Sequence, residues 1–128
     1  MKVLITGATS GIGKATAYEF ASHGHDLIIC GRRSEKLDEL KNEIVEKYEV
    51  NVLTLSFDIQ KYEDVSNAVN LIPQEFKPID ILINNAGLAS GLDYIHEGDL
   101  GDWETMIDTN VKGLLYITRL ISPEMVKN

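Results

Sequence analysis

Short apolar runs alternate with longer segments of mixed polarity along this chain. Val3-Leu4-Ile5, Leu27-Ile28-Ile29-Cys30, Val52-Leu53-Thr54-Leu55 and Ile81-Leu82-Ile83 predict four strands. Several are apolar without alternation, which implies burial on both faces, as in a parallel sheet covered by helices. Between them the apolar positions recur with a period near 3.6. Ala15, Ala17, Phe20 and Ala21 predict a helix that ends near His23-Gly24. Leu37, Leu40, Ile44 and Tyr48 predict a second, with Ser34 as its N-cap; Val65, Ala68, Val69 and Ile72 predict a third. This order gives an α/β fold, a doubly wound parallel sheet with helices on both faces. The segment from Leu100 to Met125 is predicted to be mostly helical. Its stripe of Val111, Leu114, Leu115, Thr118, Ile121 and Met125 is widened by Ile117 and Leu120. A helix apolar over so much of its circumference needs cover on more than one side.

Composition narrows the function classes. The 128 residues suit a single domain. A net charge of −8 without a clustered basic stripe argues against nucleic acid or an anionic membrane as partner. Any bound anion must therefore be caught by a local site. The single cysteine, Cys30, allows no internal disulfide and no CxxC motif, which fits a reducing, cytoplasmic setting. The first apolar run is too short for a signal peptide or a membrane span. His23, His25 and His96 have no second set of ligands spaced for a metal, so no metal is expected.

The strongest chemical signal joins the first strand to the first helix. Thr6-Gly7-Ala8-Thr9-Ser10-Gly11-Ile12-Gly13 has the spacing Gly-x3-Gly-x-Gly. Glycines allow a tight turn and close backbone approach to a pyrophosphate, and the helix start offers free N–H groups and the positive dipole end. Gly7, Thr9, Ser10, Gly11, Ile12 and Gly13 are therefore expected to bind a dinucleotide. The ATP/GTP P-loop is disfavoured, because Ala8 and Ala15 stand where it needs Gly and Ser/Thr. Dinucleotide sheets that bind NAD place a carboxylate at the end of strand two, about 20 residues past the glycines. Here that strand ends in Cys30-Gly31-Arg32-Arg33. Gly31 leaves room for a 2′-phosphate, and Arg32 and Arg33 offer guanidinium forks that match its geometry, so NADP is the expected cofactor.

Three more motifs complete a family resemblance. Asn84-Asn85-Ala86-Gly87 follows strand four, Asp58-Ile59 follows strand three, and Thr109-Asn110-Val111 lies inside the long helical tail. With the glycine loop, these resemble the short-chain dehydrogenases/reductases, and most closely the NADP-dependent serine and 3-hydroxy acid dehydrogenases among them. The resemblance implies that Asp58 and Ile59 contact adenine, and that Asp58 could alternatively cap the helix near Lys61. It places Asn85, Ala86 and Gly87 under the nicotinamide ribose and makes Asn84 a brace for the sheet. Asn110 would disrupt its helix locally and help hold a water in a proton relay, as the one catalytic residue present.

That family reduces a carbonyl with a Tyr-x-x-x-Lys pair and a Ser. Four residues after the five tyrosines stand Ser22, Val52, Ser66, Gly98 and Leu120, so the pair is absent from this sequence. The expected whole is an NADP(H)-dependent oxidoreductase acting on a small hydroxy acid, hydroxy amino acid or the matching carbonyl. These 128 residues are expected to form one NADP-binding Rossmann domain, incomplete relative to that family and truncated after the long helix, and to be inactive alone. A homo-oligomer is expected from the apolar helix. The alternative is a non-catalytic dinucleotide-binding module.

Overall fold

The computed structural model describes residues 1–9, 11–88 and 94–128. Four strands run parallel: β1 (Lys2–Ile5), β2 (Asp26–Gly31), β3 (Val52–Ser56) and β4 (Ile81–Ile83). Their order is β3-β2-β1-β4, so the chain winds outward from β1 to β3 and then returns to the other side of β1. Val3 pairs with Leu27 on one side and Ile81 on the other. All four strands stand where the apolar runs put them.

The helices divide between the two faces. α1 (Gly11–Ser22) and α2 (Ser34–Lys47) cover one face, where Val3, Ile5, Leu27 and Ile29 meet Ala17, Ala21, Leu37, Leu40 and Ile44. The small residues at Ala17 and Ala21 let α1 lie close to the sheet. α3 (Tyr62–Asn70) and α5 (Leu114–Lys127) cover the other, where Leu4, Ile28 and Cys30 meet Val65, Ala68, Ile117 and Ile121. Residues alternating along each strand thus enter two separate cores, as a sheet buried on both sides requires. Among the described residues β4 has a strand on one side only, and its three residues are half-buried.

Some boundaries and faces differ from the sequence expectation. Ser34 is the first residue of α2, and Arg33 occupies the cap position without a side-chain cap bond. α3 ends at Asn70, so Ile72 is buried from the following turn. Trp103 and Met106 of the helical tail are half-buried. The helical tail is three pieces: α4 (Leu100–Ile107), a π-helical turn (Asp108–Gly113) and α5. The wider turn puts Thr109, Gly113, Ile117 and Ile121 on the buried side, while Val111, Leu114 and Leu115 from the expected stripe are exposed. Pro123 lies inside α5. Among the described residues, no helix is long and apolar enough to cross a membrane.

Candidate functional site

The carboxyl ends of all four strands open into one pocket of about 380 Å³. Such a crevice arises where the strand order reverses, here between β1 and β4. The segments after β1, β2, β3 and β4 each supply part of its wall.

The first wall is the glycine loop. Gly7 has φ +60° and Gly11 φ +55°, a region that glycine enters without steric penalty. A Cβ on Gly13 would lie 2.0 Å from the Gly7 carbonyl oxygen, so only glycine lets the helix start fold against the loop. Gly7 and Thr9 line the pocket, whereas Gly11, Ile12 and Gly13 are not on its lining. Ile12 is 77% exposed. Ser10 lies outside the described residues.

Two partners hold this loop to the segment after β4. Asn85 Nδ2 donates to the Gly7 carbonyl at 3.0 Å. The buried Thr6 hydroxyl accepts from the backbone N–H of Asn85 at 3.0 Å and of Ala86 at 2.9 Å. Ala86 and Gly87 line the pocket, and Asn85 is not on its lining. Asn84 Nδ2 donates to Thr118 Oγ1 at 3.0 Å, which ties the end of β4 to α5. The bracing expected of Asn84 thus runs to a helix.

The second wall is electropositive. Gly31, Arg32, Arg33 and Lys36 line it together. The three cationic side chains are exposed, and no hydrogen bond or ion pair engages them among the described residues. In a chain of net charge −8 this is a local anion-attracting edge. Lys36 had no role in the sequence reading. Its signal was the spacing of four from Arg32, which the strand-to-helix turn converts into proximity to one pocket. Cys30 also lines this wall, but its complete burial pushes the thiol well above its usual range, so it stays a neutral thiol.

The third wall comes from Phe57, Asp58, Ile59 and Gln60. Asp58 Oδ1 accepts from the Gln60 backbone N–H at 3.0 Å, and the Asp58 backbone N–H donates to Asp64 Oδ2 at 2.6 Å. The loop therefore closes on Asp64 in the first turn of α3, and Asp58 does not cap that helix. Gln60 and Thr109, also on the lining, are a pair that no sequence signal singled out.

Asn110 lies in the π turn, where the predicted local break in the helix is found. It does not line the pocket. Its Oδ1 accepts from the Leu88 backbone N–H at 2.9 Å, and its Nδ2 donates to the Leu88 carbonyl at 2.8 Å. Both ends of the carboxamide thus hold the segment after β4. Among the described residues, no cluster of three or more His, Cys, Asp or Glu could hold a metal.

Comparison with known proteins places this geometry. The family model for short chain dehydrogenases matches residues 1–128. The chain belongs to the short chain dehydrogenase family. It is 46% identical over 127 residues to the NADP-dependent 3-hydroxy acid dehydrogenase of Salmonella typhi, covering 99% of this chain and 50% of that protein. The crystal structure of serine dehydrogenase from Escherichia coli superposes with a TM-score of 0.89 at 44% identity, covering 99% of this chain and 57% of that one. A closed form of serine dehydrogenase complexed with NADP+ matches with the same TM-score and identity, over 99% of this chain and 50% of that one. The resemblance to serine and 3-hydroxy acid dehydrogenases drawn from the motifs is therefore upheld, as is the Rossmann-type fold. This short chain dehydrogenase sequence spans about half the length of the curated relatives it matches.

Proposed function

We propose that this chain is the cofactor-binding part of an NADP(H)-dependent oxidoreductase, which transfers hydride to or from a small hydroxy acid or hydroxy amino acid. The observation that carries the proposal is the pocket itself. It joins a glycine loop at a helix start to three cations that no described residue pairs and to the Ala86-Gly87 segment, with no carboxylate at Gly31. The names of the relatives, NADP-dependent 3-hydroxy acid dehydrogenase and serine dehydrogenase, supply the substrate class.

The residues fit NADP in a definite order. Gly7, Thr9, Ser10, Gly11, Ile12 and Gly13 would hold the pyrophosphate at the start of α1. Arg32 and Arg33, with Lys36 beside them, would grip the 2′-phosphate. Asp58 Oδ2 would accept from the adenine amino group, since Oδ1 is already engaged by Gln60, and Ile59 would complete that contact. Asn85, Ala86 and Gly87 would lie under the nicotinamide ribose. The nicotinamide ring, when bound, supplies the hydride.

Asn110 acts first through Leu88, whose segment forms the floor beside Gly87. The relay water implied by the family resemblance would use what remains on that side chain, the second lone pair of Oδ1 and the second Nδ2 proton.

A second reading, a non-catalytic dinucleotide-binding module, draws on the lack of a Tyr-x-x-x-Lys pair in these 128 residues. The same lack underlies our proposal that they transfer no hydride alone. Self-association through the exposed Val111, Leu114 and Leu115 face and a cytoplasmic setting belong to the same proposal.

Calorimetric titration with NADPH and NADH tests the cofactor assignment. Selective NADPH binding that weakens in Arg32→Ala supports it. Tighter binding of NADH than of NADPH overturns it.

A further inference from the structure

Gln60 and Thr109 are 49 positions apart, yet the Gln60 Nε2 donates to Thr109 Oγ1 at 2.8 Å. Thr109 is 6% exposed and sits in the π turn. The residue before Gln60 makes a parallel contact. A Cβ on Gly113 would lie 3.0 Å from Ile59 Cγ1 and 3.1 Å from the Ile59 carbonyl oxygen, so the glycine lets Ile59 seat against the π turn. Two consecutive loop residues therefore dock on Thr109 and Gly113, one near each end of the same short segment.

That segment also reaches the other end of the pocket. Asn110, next to Thr109, clamps Leu88 through both atoms of its carboxamide. A Cβ on Gly87 would stand 3.1 Å from Asn110 Oδ1, so the segment after β4 lies flat against that clamp. The backbone N–H of Gln60, meanwhile, holds Asp58 Oδ1. One hydrogen-bonded path runs from Asp58 through Gln60 to Thr109, and its neighbour Asn110 continues it to Leu88.

We propose that Gln60 and Thr109 are a positioning pair that locks the adenine-side loop to the π turn and so fixes the span between the two ends of the dinucleotide pocket. The inference rests on the cofactor reading above for the identity of those ends. A ligand that touches both ends needs the span to be correct; a ligand that touches only the adenine side does not. The pair acts by preorganisation, since a part-buried side-chain hydrogen bond holds the loop to the π turn before the ligand arrives.

The test compares NADPH with adenosine 2′,5′-bisphosphate on the 128-residue chain. Gln60→Met and Thr109→Val each remove the bond, while the Gln60 backbone N–H stays on Asp58. Each should weaken NADPH about fivefold, as expected for one neutral hydrogen bond. Adenosine 2′,5′-bisphosphate should change less than about twofold, because the Asp58 anchor is intact. The double variant should be no weaker than either single one, and Thr109→Ser should bind like the parent. Equal weakening of both ligands, or multiplied losses in the double variant, would overturn the pair.

The free chain gives an independent readout. In Gln60→Met the Leu88 amide and the Asn110 side-chain amide resonances should shift, and unmoved signals overturn the proposal whatever binds. If the parent chain binds neither ligand, the cofactor reading fails while those amide signals still decide the positioning pair.

Discussion

The Thr6 hydroxyl accepts hydrogen bonds from the backbone N–H groups of both Asn85 and Ala86, at 3.0 and 2.9 Å. It also donates toward the Ile83 carbonyl at 3.4 Å. One buried side chain therefore fastens the loop after β1 to the segment after β4, where the two halves of the pocket meet. Thr6→Val keeps the shape but leaves two part-buried donors without that acceptor. The expected loss is about 2–3 kcal/mol, from unsatisfied backbone groups. Urea unfolding of Thr6→Val and Thr6→Ser checks it, because the serine keeps the acceptor and should retain most of the stability.

Gly13 tests whether the loop must close against the helix start. Its absent Cβ would sit 2.0 Å from the Gly7 carbonyl oxygen and 2.5 Å from Asn85 Nδ2. Gly13→Ala must push Gly7 away and break the Asn85 bond to the Gly7 carbonyl. NADPH affinity should fall by roughly a hundredfold, since displaced donors lose charge-assisted bonds of about 1.5–3 kcal/mol to a phosphate. Gly11→Ala is a useful contrast. A Cβ there meets nothing within 4 Å, so its cost arises from its φ of +55° alone and should be the smaller of the two.

The cationic wall should distinguish the two nicotinamide cofactors. Arg32→Ala should weaken NADPH by roughly 10- to 100-fold, the worth of one charge-assisted contact, and leave NADH within about twofold. Lys36→Ala should weaken NADPH less, because an ammonium offers a point charge without the guanidinium fork. Raising the salt concentration should narrow the NADPH advantage, since all three cations are exposed and screened. Isothermal calorimetry at two ionic strengths reads all three effects. An advantage that survives Arg32→Ala and high salt together would remove the arginine from the site.

Much of this arrangement was legible in the residues. Val3-Leu4-Ile5 and Leu27-Ile28-Ile29 are apolar at every position because neighbouring residues enter opposite cores, and that leaves a clear trace. Gly7 and Gly13 are legible because close packing of the loop excludes every other side chain. Thr6 was harder to read, because a hydroxyl beside a glycine loop looks like any turn residue until Asn85 and Ala86 arrive from a distant segment. Gln60 and Thr109 were invisible for the same reason. The π turn left a weak signal in Thr109, Asn110, Val111 and Gly113, all poor helix formers. It also explains why the expected stripe failed at Val111, inside the turn. A π turn adds about one residue per turn, so a 3.6 period carried across it points to the wrong face.

The opposite end of the sheet carries a pH-dependent clasp. Asp26 Oδ2 accepts from Lys2 Nζ at 2.7 Å, and its Oδ1 accepts from the Asn51 backbone N–H at 2.9 Å. One carboxylate thus joins β1, β2 and the start of β3. Partial burial by itself raises its pKa, but the hydrogen bonds from Lys2 and Asn51 and the Lys2 charge together outweigh it. The net direction is below the ordinary aspartate value. A carboxyl group lowered on folding stabilises the fold above its unfolded pKa of about 3.9, and that contribution disappears as pH falls through the lower folded value. Asp26→Asn removes the charge and keeps the shape. It should cost about 1–2 kcal/mol at pH 7, the range for a hydrogen-bonded charge with limited exposure. The difference from the parent should hold down to about pH 5 and shrink below pH 4, as the parent loses the charge that the variant never had. Urea unfolding midpoints of both chains from pH 7 to pH 3 check the sign. A gap that widens toward acid would show that Asp26 is raised in the fold and that the clasp works against it.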